Sequence, residues 1–275
     1  MYQRVYVEIT NICNMQCSFC HGHSRTPKQM SEKEFSQILR ELKGKTKNIY
    51  YHLMGEPLAH PKLPLFMKMA KEEGFRSLIT TNGTLLKKRG KEILESGLYK
   101  INISLHSFEK EDNLKQEEYL SEVASFALEA WEKGVIVVLR LWNKGVDGGK
   151  NQEILDYLRL KLSGEWEKNE KGIKIRNRLH VEWGDRFEWP DMNAPLYGDK
   201  VFCYGTRDHF GILVDGSVVP CCLDSEGTIN LGNVFEEALS DILTSPRVLK
   251  MKRGFGSHQA IEELCKHCEY ARRFD

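Results

Sequence analysis

Three cysteines, Cys13, Cys17 and Cys20, fall within the stretch VEITNICNMQCSFCHGH that runs from Val7 to His23. This CxxxCxxC spacing supplies three thiolates from one loop. A structural zinc site takes four protein ligands in a closed tetrahedron, and His21 or His23 could supply the fourth. A [4Fe–4S] cluster also normally takes four thiolates. With three, one iron stays open, free to hold a small chelating cofactor and pass it an electron. Five more cysteines come late: Cys203, Cys221, Cys222, Cys265 and Cys268. Cys203 and Cys221 make a CX12GX4C spacing around Gly216, and Cys265 with Cys268 makes CxxC. Four thiolates from a small fold form a closed site, for which zinc and [4Fe–4S] both qualify by spacing. Cys222 follows Cys221 directly, so in an extended chain its side chain points the other way. It reads as a small buried residue.

The totals narrow the setting. Lys+Arg and Asp+Glu number 40 and 39 in 275 residues, for a net charge of +1. A dedicated nucleic-acid binder would carry a basic excess. No apolar run approaches the roughly 20 residues that span a bilayer. The N-terminus MYQRVYVEIT lacks the features of a signal peptide. A cytoplasmic protein without membrane or nucleic-acid partners is expected. In that reducing compartment clustered thiols serve metals sooner than disulfides.

The elements that must position these cysteines alternate. Strands are predicted at Arg4 to Thr10, Asn48 to Met54, FRSLIT, YKINISL and VIVVLRLW, with a sixth within Ile173 to Trp183. Between them lie helices. Ser31 and Glu34 form a capping box before Phe35, Ile38, Leu39 and Leu42. A helix from about Lys62 to Glu73 ends at Gly74. GTLLKKRGKEILESG forms the next. The faces of the last two carry Leu120 to Trp131 and Ile154 to Leu162. Repeated strand–helix–strand units predict parallel strands with right-handed crossovers, in an open doubly wound sheet or an incomplete barrel. Either gathers ligands at the strands' C-terminal ends. The basic stretch from Lys168 to Arg178 reads as a solvated face. After Trp183 a Pro-, Gly- and Asp-rich linker leads to a hairpin, HFGILVDGSVVPCC, turning at Asp215-Gly216. Asn233 with Glu236 is expected to cap a short helix. The expected division is a core of residues 1–190 and a smaller α+β domain of 191–275.

CxxxCxxC with Phe19 before the third cysteine resembles the signature of the radical S-adenosylmethionine (SAM) superfamily. HLMGEPLAHP, from His52 to Pro61, resembles its GGEP motif, with Met54 in place of the first glycine. ITTNGTLL and INISLHS are similar to segments at the ends of its third and fourth strands. In order, these motifs cover most of residues 4–141. The resemblance implies a partial (βα)6 TIM barrel. It implies that Cys13, Cys17 and Cys20 hold a [4Fe–4S] cluster whose open iron chelates SAM. Reduction, by flavodoxin or ferredoxin, then yields a 5′-deoxyadenosyl radical that takes a hydrogen atom from substrate. By motif match Gly55 and Glu56 receive the SAM amino group, and Phe19 lies near the adenine. Ser104 and Arg140 resemble residues that hold the ribose and carboxylate. Asn82 of TNG is a further cofactor contact or only the maker of a turn. An inward Arg140 needs an anionic partner.

The second cysteine group resembles the SPASM and twitch extensions, with material for one auxiliary [4Fe–4S] cluster on Cys203, Cys221, Cys265 and Cys268. The arrangement is similar to that of the dehydrogenases that oxidise 2-deoxy-scyllo-inosamine in butirosin synthesis. The implied activity is oxidation of a small molecule such as an amino sugar or cyclitol, the closed auxiliary cluster accepting an electron. No GxGxxG or P-loop offers another route. The alternative is modification of a peptide, as a cross-link, epimer or oxidised side chain. A non-catalytic zinc scaffold is the remote third. Tyr51, His52, His106 and Asp147 lie near predicted strand ends and are candidate bases; no residue is assigned as catalytic.

Overall fold

The computed structural model describes residues 1–110 and 116–274. Six parallel strands form its centre in sequence order: β1 (Arg4–Val7), β2 (Asn48–Tyr50), β3 (Arg76–Thr81), β4 (Leu98–Ser104), β5 (Ile136–Lys144) and β8 (Leu179–Asp185). The crossovers carry α1 (Glu32–Leu42), α2 (Leu63–Glu72), α3 (Leu86–Glu95), α4 (Gln116–Glu132) and α5 (Lys150–Lys161). The sheet is open, with edges that do not meet among the described residues. This is the parallel α/β core that the alternating pattern predicts.

Side chains alternate across a strand, and here the two faces differ in kind. Val5, Ile49, Ile79, Ile101, Val137 and Val181 pack outward into the main core beneath the helices. The opposite face carries Tyr50, Lys100, Asn102, Arg140, His180 and Glu182. An ordinary eight-stranded barrel fills its interior with branched aliphatics. This open sheet keeps its apolar core on the helix side and presents polar groups on the other face.

The structure differs from the sequence expectations at several places. The second strand stops at Tyr50 rather than Met54. Tyr51 N–H still bonds Leu78 O at 3.0 Å, but Met54 N–H is drawn to the Glu8 carboxylate. The stretch from Lys168 to Arg178 is not merely a solvated face. It contains most of an antiparallel hairpin, β6 (Glu167–Asn169) and β7 (Gly172–Arg176), whose second arm pairs with β8.

The C-terminal hairpin forms from β9 (His209–Ile212) and β10 (Val218–Val219). Gly216 takes φ +92° in its turn. Yet β9 also pairs in parallel with β1 along Arg4–Val7, so the C-terminal region extends the core sheet. The helix expected from Asn233 begins instead at Leu239, as α6 (Leu239–Thr244). Asn233 Oδ1 accepts from Phe235 N–H at 2.9 Å and its Nδ2 donates to Asp215 O at 3.1 Å. Glu41, on α1, accepts from Leu239 N–H at 2.9 Å. Two further helices follow, α7 (Pro246–Gly256) and α8 (Glu263–Lys266). Among the described residues no helix is long and apolar enough to cross a membrane.

Glu8, fully buried just past β1, ties these parts together. Its carboxylate accepts both terminal nitrogens of Arg25, at 2.6 and 2.8 Å. It also accepts Met54 N–H at 3.2 Å and Val214 N–H at 3.0 Å. Removing one partner of such a buried pair costs about 3–5 kcal/mol, because the other is left buried and unpaired. Glu8→Ala is therefore expected to lower stability by about that amount in urea unfolding. Glu8→Leu combined with Arg25→Met should lose less than Glu8→Ala alone. A loss under about 1 kcal/mol for Glu8→Ala would be that of an exposed pair and would contradict the assignment.

Candidate metal and cofactor site

The first cysteine loop leaves the sheet at Thr10 and returns at Gln29, where the two residues form an antiparallel bridge. Asn11 staples its base: Nδ2 donates to Thr26 O at 2.9 Å and Oδ1 accepts from Lys28 N–H at 2.8 Å. The residues between project beyond the C-terminal end of β1. Cys13 and Cys20 are exposed and Cys17 is partly buried. Met15 N–H donates to Cys13 Sγ at 3.4 Å. Both histidines weighed as a fourth ligand have other partners. His23 Nε2 bonds Asn11 O at 2.8 Å, and His21 lies 3.7 Å from Asp191 and stacks on Trp189. Three soft thiol donors on one loop fit an iron–sulfur cluster with an open iron.

Against this loop lies the segment that contains Gly55 and Glu56. Gly55 has φ +74°, and a Cβ there would sit 2.4 Å from Thr10 O. Only glycine permits this approach. Glu56 N–H then donates to Ile12 O at 3.0 Å, one residue before Cys13. The Glu56 carboxyl is buried. It accepts from Leu58 N–H at 2.9 Å, Thr81 Oγ1 at 2.8 Å and Asn82 N–H at 2.8 Å. Burial outweighs these donors and pushes it up to about 7. Glu56 thus caps the short 3-10 turn Pro57–Ala59 and also binds the end of β3. Asn82 shapes the turn after β3 and reaches toward the cysteine loop. Its Oδ1 accepts from Thr84 N–H at 3.0 Å, while Nδ2 donates to Asn14 Oδ1 at 3.0 Å and lies 4.0 Å from Cys13 Sγ.

Around the same strand ends, Phe19 packs on His106 with ring centroids 4.8 Å apart. Ser104, Arg140 and Glu182 stand side by side in register on β4, β5 and β8. Arg140 Nε lies 3.4 Å from Glu182 Oε2, and its guanidinium sits 4.5 Å from the Trp142 ring. The anionic partner that Arg140 requires is Glu182, a residue the sequence reading missed.

The candidate bases separate. Tyr51 faces the helix-side core, bonded to Ser77 Oγ at 3.1 Å and stacked near Phe35. Strand parity puts it beside Ile49, away from the inner face. Asp147 accepts from Asn151 N–H at 3.2 Å at the start of α5. His106 Nδ1 bonds Arg140 O at 3.2 Å, and burial pulls its pKa down to about 4. His52 remains on the inner side, edge-on to Tyr6 at 5.6 Å, with a buried and unpartnered Nδ1. Burial, then Arg140, lowers its pKa to about 3, so it is neutral at pH 7.

The later cysteines converge. Cys203, Cys221, Cys265 and Cys268 line one cavity with Val201, Ile229, Phe255 and Leu264. Gly205 N–H donates to Cys203 Sγ at 3.3 Å. Burial pushes all four thiols up, Cys268 to about 11, and Cys221, Cys265 and Cys268 are raised further by others of the set. For Cys203 the local donors oppose that burial. Asp224, also at this cavity, is already engaged by Thr228 and Ile229 N–H at 2.8 Å each. A dry chamber with four thiol donors fits a closed metal cluster. Cys222 faces away, packed with Tyr6, Leu53, Leu213 and Val219.

The two cysteine regions are pinned to one another. Ser24 N–H and Oγ donate to Glu226 at 2.7 and 2.8 Å, and Arg25 Nε donates to Ser225 O at 2.8 Å. Glu8, Arg25 and Glu226 were missed in the sequence. A charged residue inside VYVEIT was the one local signal.

The family model for the radical SAM superfamily matches residues 7–158. The chain belongs to the radical SAM superfamily. A second model, an iron–sulfur cluster-binding domain called SPASM, matches residues 203–269 of this radical SAM chain. It is 30% identical over 211 residues to GTP 3′,8-cyclase of Aquifex aeolicus, matching 71% of this chain and 61% of that protein. A probable GTP 3′,8-cyclase of Methanococcus maripaludis is 31% identical over 134 residues, matching 47% of this chain and 43% of its own. The chain therefore spans about two fifths to three fifths of these relatives' length. In fold it is similar to BtrN in complex with AdoMet and 2-DOIA, with TM-score 0.63, 20% identity and coverage of 98% and 93%. It is also similar to Streptococcus suis SuiB bound to S-adenosylmethionine, with TM-score 0.64, 16% identity and coverage of 98% and 72%. Radical SAM domains hold a [4Fe–4S] cluster and SAM, and SPASM domains hold further iron–sulfur clusters; this chain is a radical SAM enzyme with those cofactors.

Two outcomes follow for the isolated protein. After anaerobic reconstitution about eight irons per chain are expected, and about four after Cys13, Cys17 and Cys20 are changed together to Ala; tightly bound zinc, or about twelve irons, would contradict the two-site assignment. The second concerns Glu56. Its folded pKa of about 7 exceeds the ordinary 4.5, so the folded state holds the proton more tightly. Its contribution is complete below pH 4.5 and is lost as pH rises through about 7, by about 3 kcal/mol in all. Unfolding of cluster-loaded, SAM-free protein should show this decline, and Glu56→Gln should flatten it. An identical slope in the variant would contradict the assignment.

Proposed function

We infer that this enzyme cleaves SAM reductively, takes a hydrogen atom from a small polar molecule and oxidises it by two electrons, using one auxiliary [4Fe–4S] cluster. The observation that carries this reading is the pair of unlike cysteine sites on one sheet. One is an exposed three-thiol loop, and the other a closed four-thiol chamber. When bound, the first cluster with SAM supplies a 5′-deoxyadenosyl radical, and the auxiliary cluster supplies an electron acceptor.

The chain's own residues would position these groups. Cys13, Cys17 and Cys20 hold the first cluster. Cys203, Cys221, Cys265 and Cys268 hold the second. The Gly55 backbone, and Glu56 as an anionic acceptor, receive the SAM ammonium. Asn82, Ser104, Arg140 and Phe19 border the same end of the sheet. The division into a core of residues 1–190 and an auxiliary region of 191–275 belongs to this reading. So do flavodoxin or ferredoxin as donor. The likeness in fold to BtrN over nearly the whole chain supports a dehydrogenase of an amino sugar, cyclitol or similar compound. The similarity to the GTP 3′,8-cyclases supports a shared first half of the reaction.

With dithionite the protein should convert SAM to 5′-deoxyadenosine and methionine, slowly even without substrate. Glu56→Ala should weaken SAM binding by about 1.5–3 kcal/mol, read by equilibrium binding; unchanged affinity would remove Glu56 from the site. Cys265→Ala with Cys268→Ala separates the two clusters' roles. Folded protein of that variant should still make 5′-deoxyadenosine but yield no oxidised product. Normal product from it would refute the electron-acceptor role.

A further inference from the structure

The face of the sheet turned away from the helices is donor-rich well below the strand ends where the SAM contacts gather. On β4, Ile101 and Ile103 pack outward, so Lys100, Asn102 and Ser104 face inward. Lys100 stands four residues before Ser104, about 13 Å lower along the wall at 3.3 Å per residue. It is too deep to share an anion held at Ser104. Arg4, exposed at the start of β1 and opposite in phase to outward Val5, borders the same space. Arg140 faces it from β5 and Glu182 from β8.

The charges do not balance. Glu182 offsets Arg140, and the β6–β7 turn beside His180 carries one acid and one base, Glu170 and Lys171. Lys100 and Arg4 are left in excess. Lys100 is lowered by burial first, then by the positive charge of Arg140, with Glu182 opposing and Arg4 adding. Polar atoms on this face are also buried without a hydrogen-bond partner: Asn102 Oδ1, Trp142 Nε1, His52 Nδ1 and, in register with Arg4, His209 Nδ1. Asn102 is fully buried, and its Nδ2 donates to Thr80 Oγ1 at 3.1 Å on the same face. Two cations in excess, with Asn102 Oδ1 two residues above Lys100 and His209 Nδ1 in register with Arg4, match a ligand with oxyanion and hydroxyl groups.

We propose that this inner wall, centred on Lys100 and Arg4, binds the substrate and selects a polyhydroxylated small molecule bearing a carboxylate or phosphate. The inference rests on the radical SAM reading given above. It narrows the substrate class, because an unmodified amino sugar or aminocyclitol would bring a third positive charge to Lys100 and Arg4.

The test uses full-length, cluster-loaded protein saturated with SAM under anaerobic conditions. Calorimetry follows D-gluconate, D-glucose 6-phosphate and D-glucosamine as probes that share one carbon skeleton and differ in charge. Gluconate or glucose 6-phosphate should bind more tightly than glucosamine, and the better of the two identifies the oxyanion. Lys100→Met and Arg4→Gln should each weaken that binding by about tenfold or more, the loss of a charge-assisted contact. Lys100→Arg should retain it. Equal or tighter binding of glucosamine, no binding of either anion, or anion affinity unchanged in both charge-removing variants would overturn the proposal. SAM titration of the same samples keeps the two readings apart. SAM binding without anion binding refutes only the substrate class, whereas failure to bind SAM refutes the function from which it follows.

Discussion

A carboxylate cut off from water must be met by donors, or it will not stay ionised. Glu8 is met by four, two from Arg25 and one each from Met54 and Val214. Those donors come from the first cysteine loop, from the segment just before Gly55 and from the C-terminal hairpin. None of the three can move away without leaving a buried charge short of partners. The cost of burying this one group thus fixes the relative position of three segments distant in sequence, and with them both cysteine sites. Arg25 spends its remaining nitrogen on Ser225, three residues past the adjacent pair Cys221-Cys222. The parallel pairing of β1 with β9 completes the junction.

The strand just before Glu8 illustrates how the sheet divides its two faces. Its aliphatic side chains serve the helices, and the alternate positions serve the interior. The interior is then free to be polar, provided its groups pair with one another or with a ligand. Arg140 with Glu182 satisfies that condition internally. Lys100, Asn102 and Trp142 leave it unfulfilled, which is why the wall reads as a site rather than as packing.

Much of this was legible locally. The cysteine spacings, the MGEP segment and the apolar periods of α1 to α5 each depend on a few neighbouring residues, and the structure seats them as expected. The failures share a cause: each depends on a partner far away in the chain. Nothing near Leu239 says that Glu41 will cap its helix. Nothing in HFGILVDG says that β9 will lie beside β1. Glu8 is a lone acid in an apolar run until Arg25 and Val214 reach it. Tyr51 is a different case. Its parity with Ile49 already placed it on the helix side, and proximity to a strand end was the weaker guide.

The central claim is that two unlike metal sites sit on a single sheet, one open to SAM and one closed by protein. Electron paramagnetic resonance of the dithionite-reduced enzyme, recorded before and after SAM is added, tests it most directly. Two cluster signals are expected. One should shift when SAM binds and be absent when Cys13, Cys17 and Cys20 are replaced by Ala, while the other should be unchanged by SAM. A single signal, two signals that both shift, or two that both ignore SAM would contradict the account.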